Sequence, residues 1–168
     1  MKKICVVGVS GTGKSTLAKA LSEEGIYTIS IDDVPGLCMW VNKETGKKAF
    51  YDTEPNKEFI DTHNWVCDVE KLKELMGDKS VIVFGSASNQ DKYIDMFDTI
   101  FLLQCSPETF LKRIDQRVGN EFGKDETAKQ AILGWYKKFE QKMLEQGAVP
   151  IDAEKSVEEI KTKILKLF

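Results

Sequence analysis

The chain has 168 residues and a mass of 19.0 kDa, the usual size of one domain and long enough to bury about two-thirds of its unfolded surface. It carries 24 basic against 27 acidic groups, a formal charge of −3 and a sequence pI near 5.4, so no global basic field is available to drive binding to nucleic acid or anionic lipid. With 42% hydrophobic and 30% charged residues the composition is that of a globular chain and excludes disorder.

Read in order, the chain alternates strands with helices. Ile4-Cys5-Val6-Val7 is a short continuous apolar run, as in a strand buried on both faces. A helix follows over 16–24, with Leu17, Ala20 and Leu21 on one side, then a β-branched strand over 27–31 ending at Asp32-Asp33. Asp68 is placed to cap a helix over 68–76 that Gly77 stops. Val81–Phe84 and Thr99–Leu103 read as the third and fourth strands, and Ser106-Pro107-Glu108 as a cap and first-turn proline opening a helix. A long helix is expected over 125–146, a fifth strand over 148–151, and a last helix from the capping box Ser156-Val157-Glu158-Glu159. Such alternation predicts an α/β fold, a three-layer αβα sandwich around a five-stranded parallel sheet, within a single domain spanning 1–168.

Two stretches break the pattern: 34–64 and 118–125. In the first, apolar ends flank the polar, glycine-bearing segment Asn42–Lys48, which predicts a hairpin or irregular excursion. Poorly patterned insertions on a regular scaffold are where binding usually resides. The four cysteines, Cys5, Cys38, Cys67 and Cys105, show neither Cys-x-x-Cys nor Cys/His spacing, so free thiols are expected rather than a zinc site or disulfide framework. The apolar run at the N-terminus ends at Gly8, too short for a leader or a membrane span, and a cytoplasmic location is expected.

Gly8-Val9-Ser10-Gly11-Thr12-Gly13-Lys14-Ser15 fits G-x-x-x-x-G-K-[ST] without a gap, after a buried strand and before a helix. Glycines let successive backbone N–H groups point into one concavity, and the helix start adds its positive dipole end. Lys14 supplies a point charge for terminal phosphates, and Ser15 a hydroxyl for magnesium. The bland alternative, a glycine-rich turn with no ligand, does not explain why Lys14 and Ser15 stand in the required places. The motif therefore predicts a nucleoside triphosphate site that includes Gly8, Ser10, Gly11, Thr12, Gly13, Lys14, Ser15 and Thr16.

On this motif, and in length, the chain resembles the small phosphate-loop kinases: adenylate, nucleoside, gluconate and shikimate kinases. The resemblance implies sheet order 2-3-1-4-5, ATP and Mg2+ as cofactors, ADP as product, and a small-molecule acceptor for the γ-phosphoryl group. It also implies a monomer or homodimer with no nucleic-acid or membrane partner. Of the 24 basic residues only Arg113 and Arg117 are arginine. The segment Arg113-Ile114-Asp115-Gln116-Arg117 looks like the family's R-x-x-x-R helix, which leads into a lid, here 118–125, with Gly119 and Gly123 as pivots. Both arginines, four apart on one helical face, could then reach one polyphosphate. Asp152 and Ala153 resemble the segment that packs on adenine; an ordinary strand-to-helix connection is the alternative.

The chain also departs from the family. No aspartate ends the third strand, where Val83-Phe84-Gly85 stands, and Ser30-Ile31-Asp32 keeps only the second aspartate of the shikimate kinase pattern. Asp32 is therefore expected nearest the metal and acceptor, although Asp33 could take that role or either could cap a turn. The glycine-arginine pattern that holds an acceptor phosphate is missing after Gly85, which favours a neutral hydroxylated acceptor or an acid bound by Lys43, Lys47 or Lys48. Trp40, Tyr51, His63, Gly85 and Asn89 are candidate acceptor contacts, along with Phe50 and Trp65. For His63 a structural hydrogen-bonded role, and for the aromatic residues a small core, are the competing readings. A nucleotide-dependent switch or NTPase without an acceptor is the competing function.

Overall fold

The computed structural model describes residues 1–50, 57–119 and 123–168. Strands β1 (Lys3–Val7), β2 (Thr28–Ser30), β6 (Val81–Phe84), β7 (Thr99–Gln104) and β8 (Val149–Asp152) form one parallel sheet in the order β2-β6-β1-β7-β8. Taken in chain sequence, these are the five expected strands in the expected order. In β1, Ile4, Cys5, Val6 and Val7 are all 0% exposed, so side chains pointing to both faces are covered.

The period of two decides which helix each residue meets. Ile4, Val6, Ile82, Phe84, Phe101 and Leu103 pack with Leu17 and Leu21 of α1 (Lys14–Glu23) and with Ile160 and Ile164 of α6 (Val157–Leu165). The alternate residues Cys5, Val7 and Leu102 meet Met143 of α5 (Glu126–Glu145), while Ile29, Val81 and Val83 meet Leu72 and Met76 of α3 (Val69–Met76). The result is the αβα sandwich. The caps are those expected: Asp68 accepts from the Lys71 amide at 3.1 Å, Ser106 from that of Thr109 at 3.2 Å at the start of α4 (Pro107–Gln116), and Ser156 and Glu159 complete a capping box.

The excursion is more regular than expected. Its hairpin is present, with β3 (Cys38–Asn42) antiparallel to β4 (Lys48–Ala49); the Asn42 side chain accepts from the Glu44 and Thr45 amides at 3.0 and 2.9 Å inside the turn. Helix α2 (Lys57–Thr62) then leads into β5 (His63–Cys67), which pairs antiparallel with β3 and completes a second sheet in the order β4-β3-β5. The excursion thus runs to Cys67, three residues beyond its expected end. The sequence His63-Asn64-Trp65-Val66-Cys67 does not alternate clearly; its strand conformation comes from the cross-strand pairs it makes with β3.

Candidate functional site

The glycine-rich loop joins β1 to α1 at the C-terminal end of the parallel strands. Gly11 and Gly13 have φ of +83° and +96°, and a Cβ on Gly11 would lie 2.3 Å from the Phe110 carbonyl oxygen. Glycine is required there by both conformation and space. The Thr12 hydroxyl is turned inward and donates to the Val9 carbonyl at 2.8 Å, so this side chain shapes the loop. No side chain caps the start of α1 at Gly13, and its first-turn N–H groups remain outside the helical ladder. Exposed Ser15 and Thr16 stand in that same turn. A positive helix end with its first-turn N–H groups and the Ser15 and Thr16 hydroxyls therefore meet at the loop, a place suited to an anion.

Lys14 is partly buried across the mouth of the loop, donating to the Gly8 and Val9 carbonyls at 2.6 and 3.0 Å. Burial pulls its ammonium down to a pKa of about 8; the Asp32 carboxylate opposes this and the Arg117 charge adds to it.

Asp32 enters from the end of β2. Desolvation holds its carboxyl above the usual carboxylate range, against the opposing hydrogen bond from Trp65 and the charge of Lys14. The Trp65 indole Nε1–H donates to Asp32 Oδ1 at 2.8 Å. Sequence reasoning considered Trp65 only for aromatic stacking; the polar contact bridges residues 33 apart and belongs to the tertiary structure. Gly85 has φ +119°, and a Cβ there would lie 2.5 Å from Ile31 Cγ1 and 3.5 Å from Asp32 Oδ2. The place after the third parallel strand is thus filled by the Asp32 turn, which accounts for the missing aspartate.

The two arginines reach the loop differently than expected. Arg113 lies on α4 and donates to the Ala153 carbonyl at 2.9 Å, with Nη1 4.0 Å from a Cβ built on Gly13. Arg117 is not on the helical face: it is the residue after α4, with extended φ and ψ of −71° and 150°, and it donates to Ser10 Oγ at 3.0 Å. The helix end frees its backbone from the 3.6-residue period, so the side chain swings onto the loop. Asp152 Oδ1 accepts from the Glu154 amide at 2.9 Å, and Glu154 in turn accepts from the Ser106 amide and Thr109 hydroxyl. The segment 152–154 is therefore tied to both ends of α4.

The expected acceptor contacts do not all converge. Trp40 and Trp65 are cross-strand partners with ring centroids 5.2 Å apart, and Phe59 meets Trp40 edge-on at 5.4 Å. His63 stacks on Phe59 at 4.0 Å, and its Nδ1 lies 3.0 Å from the Phe59 carbonyl and 2.9 Å from the Thr62 hydroxyl. The contacts of His63 are thus those of a structural residue, and the rings form a small aromatic core, of which Trp65 touches Asp32. Asn89 donates to the Cys67 carbonyl at 2.8 Å and accepts from the Cys67 amide at 2.9 Å, so its amide group serves the outer edge of β5. Asp33 is exposed, its amide closing a turn on the Ser30 carbonyl. Phe50 is 92% exposed. Tyr51 lies outside the described residues. Of the two expected pivots, a Cβ on Gly119 would meet no atom of the described residues within 4 Å, whereas one on Gly123 would lie 3.1 Å from Ile132 and 3.4 Å from Ile114.

The arrangement matches known proteins at two levels. The pattern of the AAA domain family fits residues 4–134, and the chain belongs to that family. No curated protein sequence matches it. Among solved structures the chain is similar to a deoxyadenosine kinase from M. mycoides with bound dATP (TM-score 0.56, 16% identity, 98% of this chain and 97% of that one). It is also similar to a shikimate kinase from Acinetobacter baumannii in complex with shikimate (TM-score 0.63, 16% identity, covering 99% and 92%) and a gluconokinase from Sinorhizobium meliloti (TM-score 0.55, 18% identity, covering 98% and 90%). The fold is that of the small P-loop kinases. Among the described residues no helix is long and apolar enough to cross a membrane.

Proposed function

We propose that this chain is an ATP- and magnesium-dependent phosphotransferase that moves the γ-phosphoryl group of ATP to a hydroxyl of a small-molecule acceptor. The observation that carries this reading is the loop itself: Gly11 and Gly13 stand at positive φ, Lys14 donates to the Gly8 and Val9 carbonyls, and Arg117 donates to Ser10 Oγ of the same loop. Phosphoryl transfer asks little covalent chemistry of a protein and much positioning and charge stabilisation. In this reading Gly8, Ser10, Gly11, Gly13 and the first turn of α1 cradle the phosphates, Thr12 keeps the loop in shape, and Lys14 exchanges its carbonyl partners for phosphate oxygens. Arg113 and Arg117 stabilise charge on the transferring group, and the segment at Asp152 and Ala153 takes the base. The acceptor hydroxyl donates to Asp32 and is polarised by it.

The Ser15 hydroxyl and the Asp32 carboxylate are hard oxygen donors of the kind that suits magnesium, and they would hold it. Bound there, magnesium would neutralise phosphate charge. The excursion, whose Trp65 bonds to Asp32, forms the acceptor side of a single catalytic domain; the expected lid, 118–125, falls partly outside the described residues.

Turnover of ATP with a panel of neutral and acidic hydroxylated acceptors (nucleosides, nucleoside monophosphates, sugar acids, shikimate) tests the reading. ADP production is expected to rise steeply with one acceptor class and to stay slow without it. Steady hydrolysis that no acceptor changes would make the chain a nucleotide-driven switch.

A further inference from the structure

Two of the cysteines that sequence spacing left unrelated are brought face to face by the second sheet. In the β3–β5 register Cys38 lies opposite Cys67. The Asp68 amide donates to the Leu37 carbonyl at 2.8 Å, while the amide and carbonyl of Cys67 are taken by Asn89. Cys38 and Cys67 are therefore a non-hydrogen-bonded antiparallel pair, the kind whose Cα atoms are closest, about 4.5 Å apart. That spacing falls within the range of about 4.4–6.8 Å that a disulfide spans. Both thiols are reduced and buried, at 9% and 2% exposure, in the apolar cluster with Ile31 and Tyr93.

We propose that Cys38 and Cys67 form a reversible cross-link site, in which a small two-electron oxidant of the peroxide class joins the two sulfurs across β3 and β5. The thiols are unequal: contact with the Cys38 thiol favours the Cys67 thiolate, while the same contact holds Cys38 protonated. In the proposed step the Cys67 sulfur attacks first; attack by Cys38 would give the same bond. The Cys67 thiolate bonds to one peroxide oxygen, the O–O bond breaks, and the departing hydroxide takes a proton to leave as water. The Cys38 sulfur then displaces hydroxide from the resulting sulfenic acid, and its own proton leaves with that hydroxide as a second water. The two sulfurs lose two electrons in all, which the peroxide oxygens gain, and a dithiol reverses the bond by exchange.

The other cysteines are internal controls. Burial pushes the Cys5 thiol up to about 12, and desolvation pushes Cys105 up to about 11. The cross-link would close two pairs away from Trp40 and Trp65 in the register, on the strands that carry the indole contact to Asp32.

Peroxide treatment of the full chain, alkylation after unfolding, and mass spectrometry of the peptides test the site without any assay of phosphotransfer. Two of the four thiols are expected to resist alkylation, in a peptide pair joining Cys38 to Cys67 that dithiothreitol releases. The Cys67→Ser chain is expected to yield no cross-linked peptide. Four fully alkylated thiols after peroxide, oxidation to sulfinic acid without cross-linking, or a bond that uses Cys5 or Cys105 would each overturn the proposal.

Discussion

Lys14 is held by the carbonyls of its own loop and partly desolvated, so its ammonium is poised to exchange weak neutral acceptors for phosphate oxygens. Lys14→Ala removes that charge and is expected to lower ATP turnover by about 10²–10³-fold; a variant that keeps its turnover would end the phosphate-loop reading. Arg117 reaches the loop from beyond α4, and its charge matters most where charge shifts in transfer. Arg117→Ala is expected to reduce kcat by about 10²-fold or more while the ATP dissociation constant moves by less than about threefold, measured by steady-state kinetics and calorimetry. Trp65 gives its N–H to Asp32 Oδ1. Trp65→Phe keeps a ring on β5 but loses a hydrogen bond to a charged group, an interaction typically contributing about 1.5–3 kcal/mol. Turnover with the preferred acceptor should fall about tenfold at unchanged KM for ATP.

At the scale of elements, residues 88 and 89 close the outer edge of the second sheet: the Ser88 amide donates to the Trp65 carbonyl at 2.7 Å, and the Asn89 side chain serves Cys67. The amide group of Asn89 replaces a neighbouring strand for Cys67, satisfying both its N–H and its C=O. Asn89→Ala would leave two backbone groups of a buried residue without these partners, at about 1–3 kcal/mol each before water relaxes the loss. A drop in Tm of at least about 3 °C is expected by calorimetry. A variant that melts like the parent but loses acceptor affinity would return Asn89 to the acceptor site. The hairpin β3–β4 was legible because its turn chemistry is local: Asn42 binds the amides two and three residues on. Strand β5 was not legible, because Trp65 and Cys67 adopt it only opposite Trp40 and Cys38.

Across the whole molecule, Glu154 ties the β8–α6 turn to the start of α4, 48 residues away, and the capping box starts the last helix. Hydrogen bonds from the Ser106 amide and the Thr109 hydroxyl hold the Glu154 carboxyl below its ordinary value of 4.5, and the Ser156 hydroxyl and amide do the same for Glu159. Both groups are more acidic folded than unfolded. Their stabilisation is complete above pH 4.5 and disappears as pH falls through the lower folded values. Melting followed between pH 6 and 3 is expected to show a shallower acid slope in Glu154→Gln and Glu159→Gln than in the parent. Equal slopes would mean that neither carboxylate is held by these donors.

The sequence by itself determined the parallel strands, the helix caps and the phosphate loop, while the sheet order came from the resemblance to the small phosphate-loop kinases. Each of the first three is written in contiguous residues: apolar runs, cap residues, and glycines at fixed offsets from Lys14 and Ser15. What lies at Asp32 was decided only by the tertiary structure. The indole of Trp65, the glycine at 85 that makes room for the Asp32 turn, and the meeting of Cys38 with Cys67 join residues about 29 to 53 apart in the chain. The same holds for Arg117, whose place on the loop follows from where α4 ends rather than from its spacing to Arg113. Local patterns carry short-range hydrogen bonding and periodicity, whereas contacts between distant segments are set by packing, which no stretch of residues encodes alone.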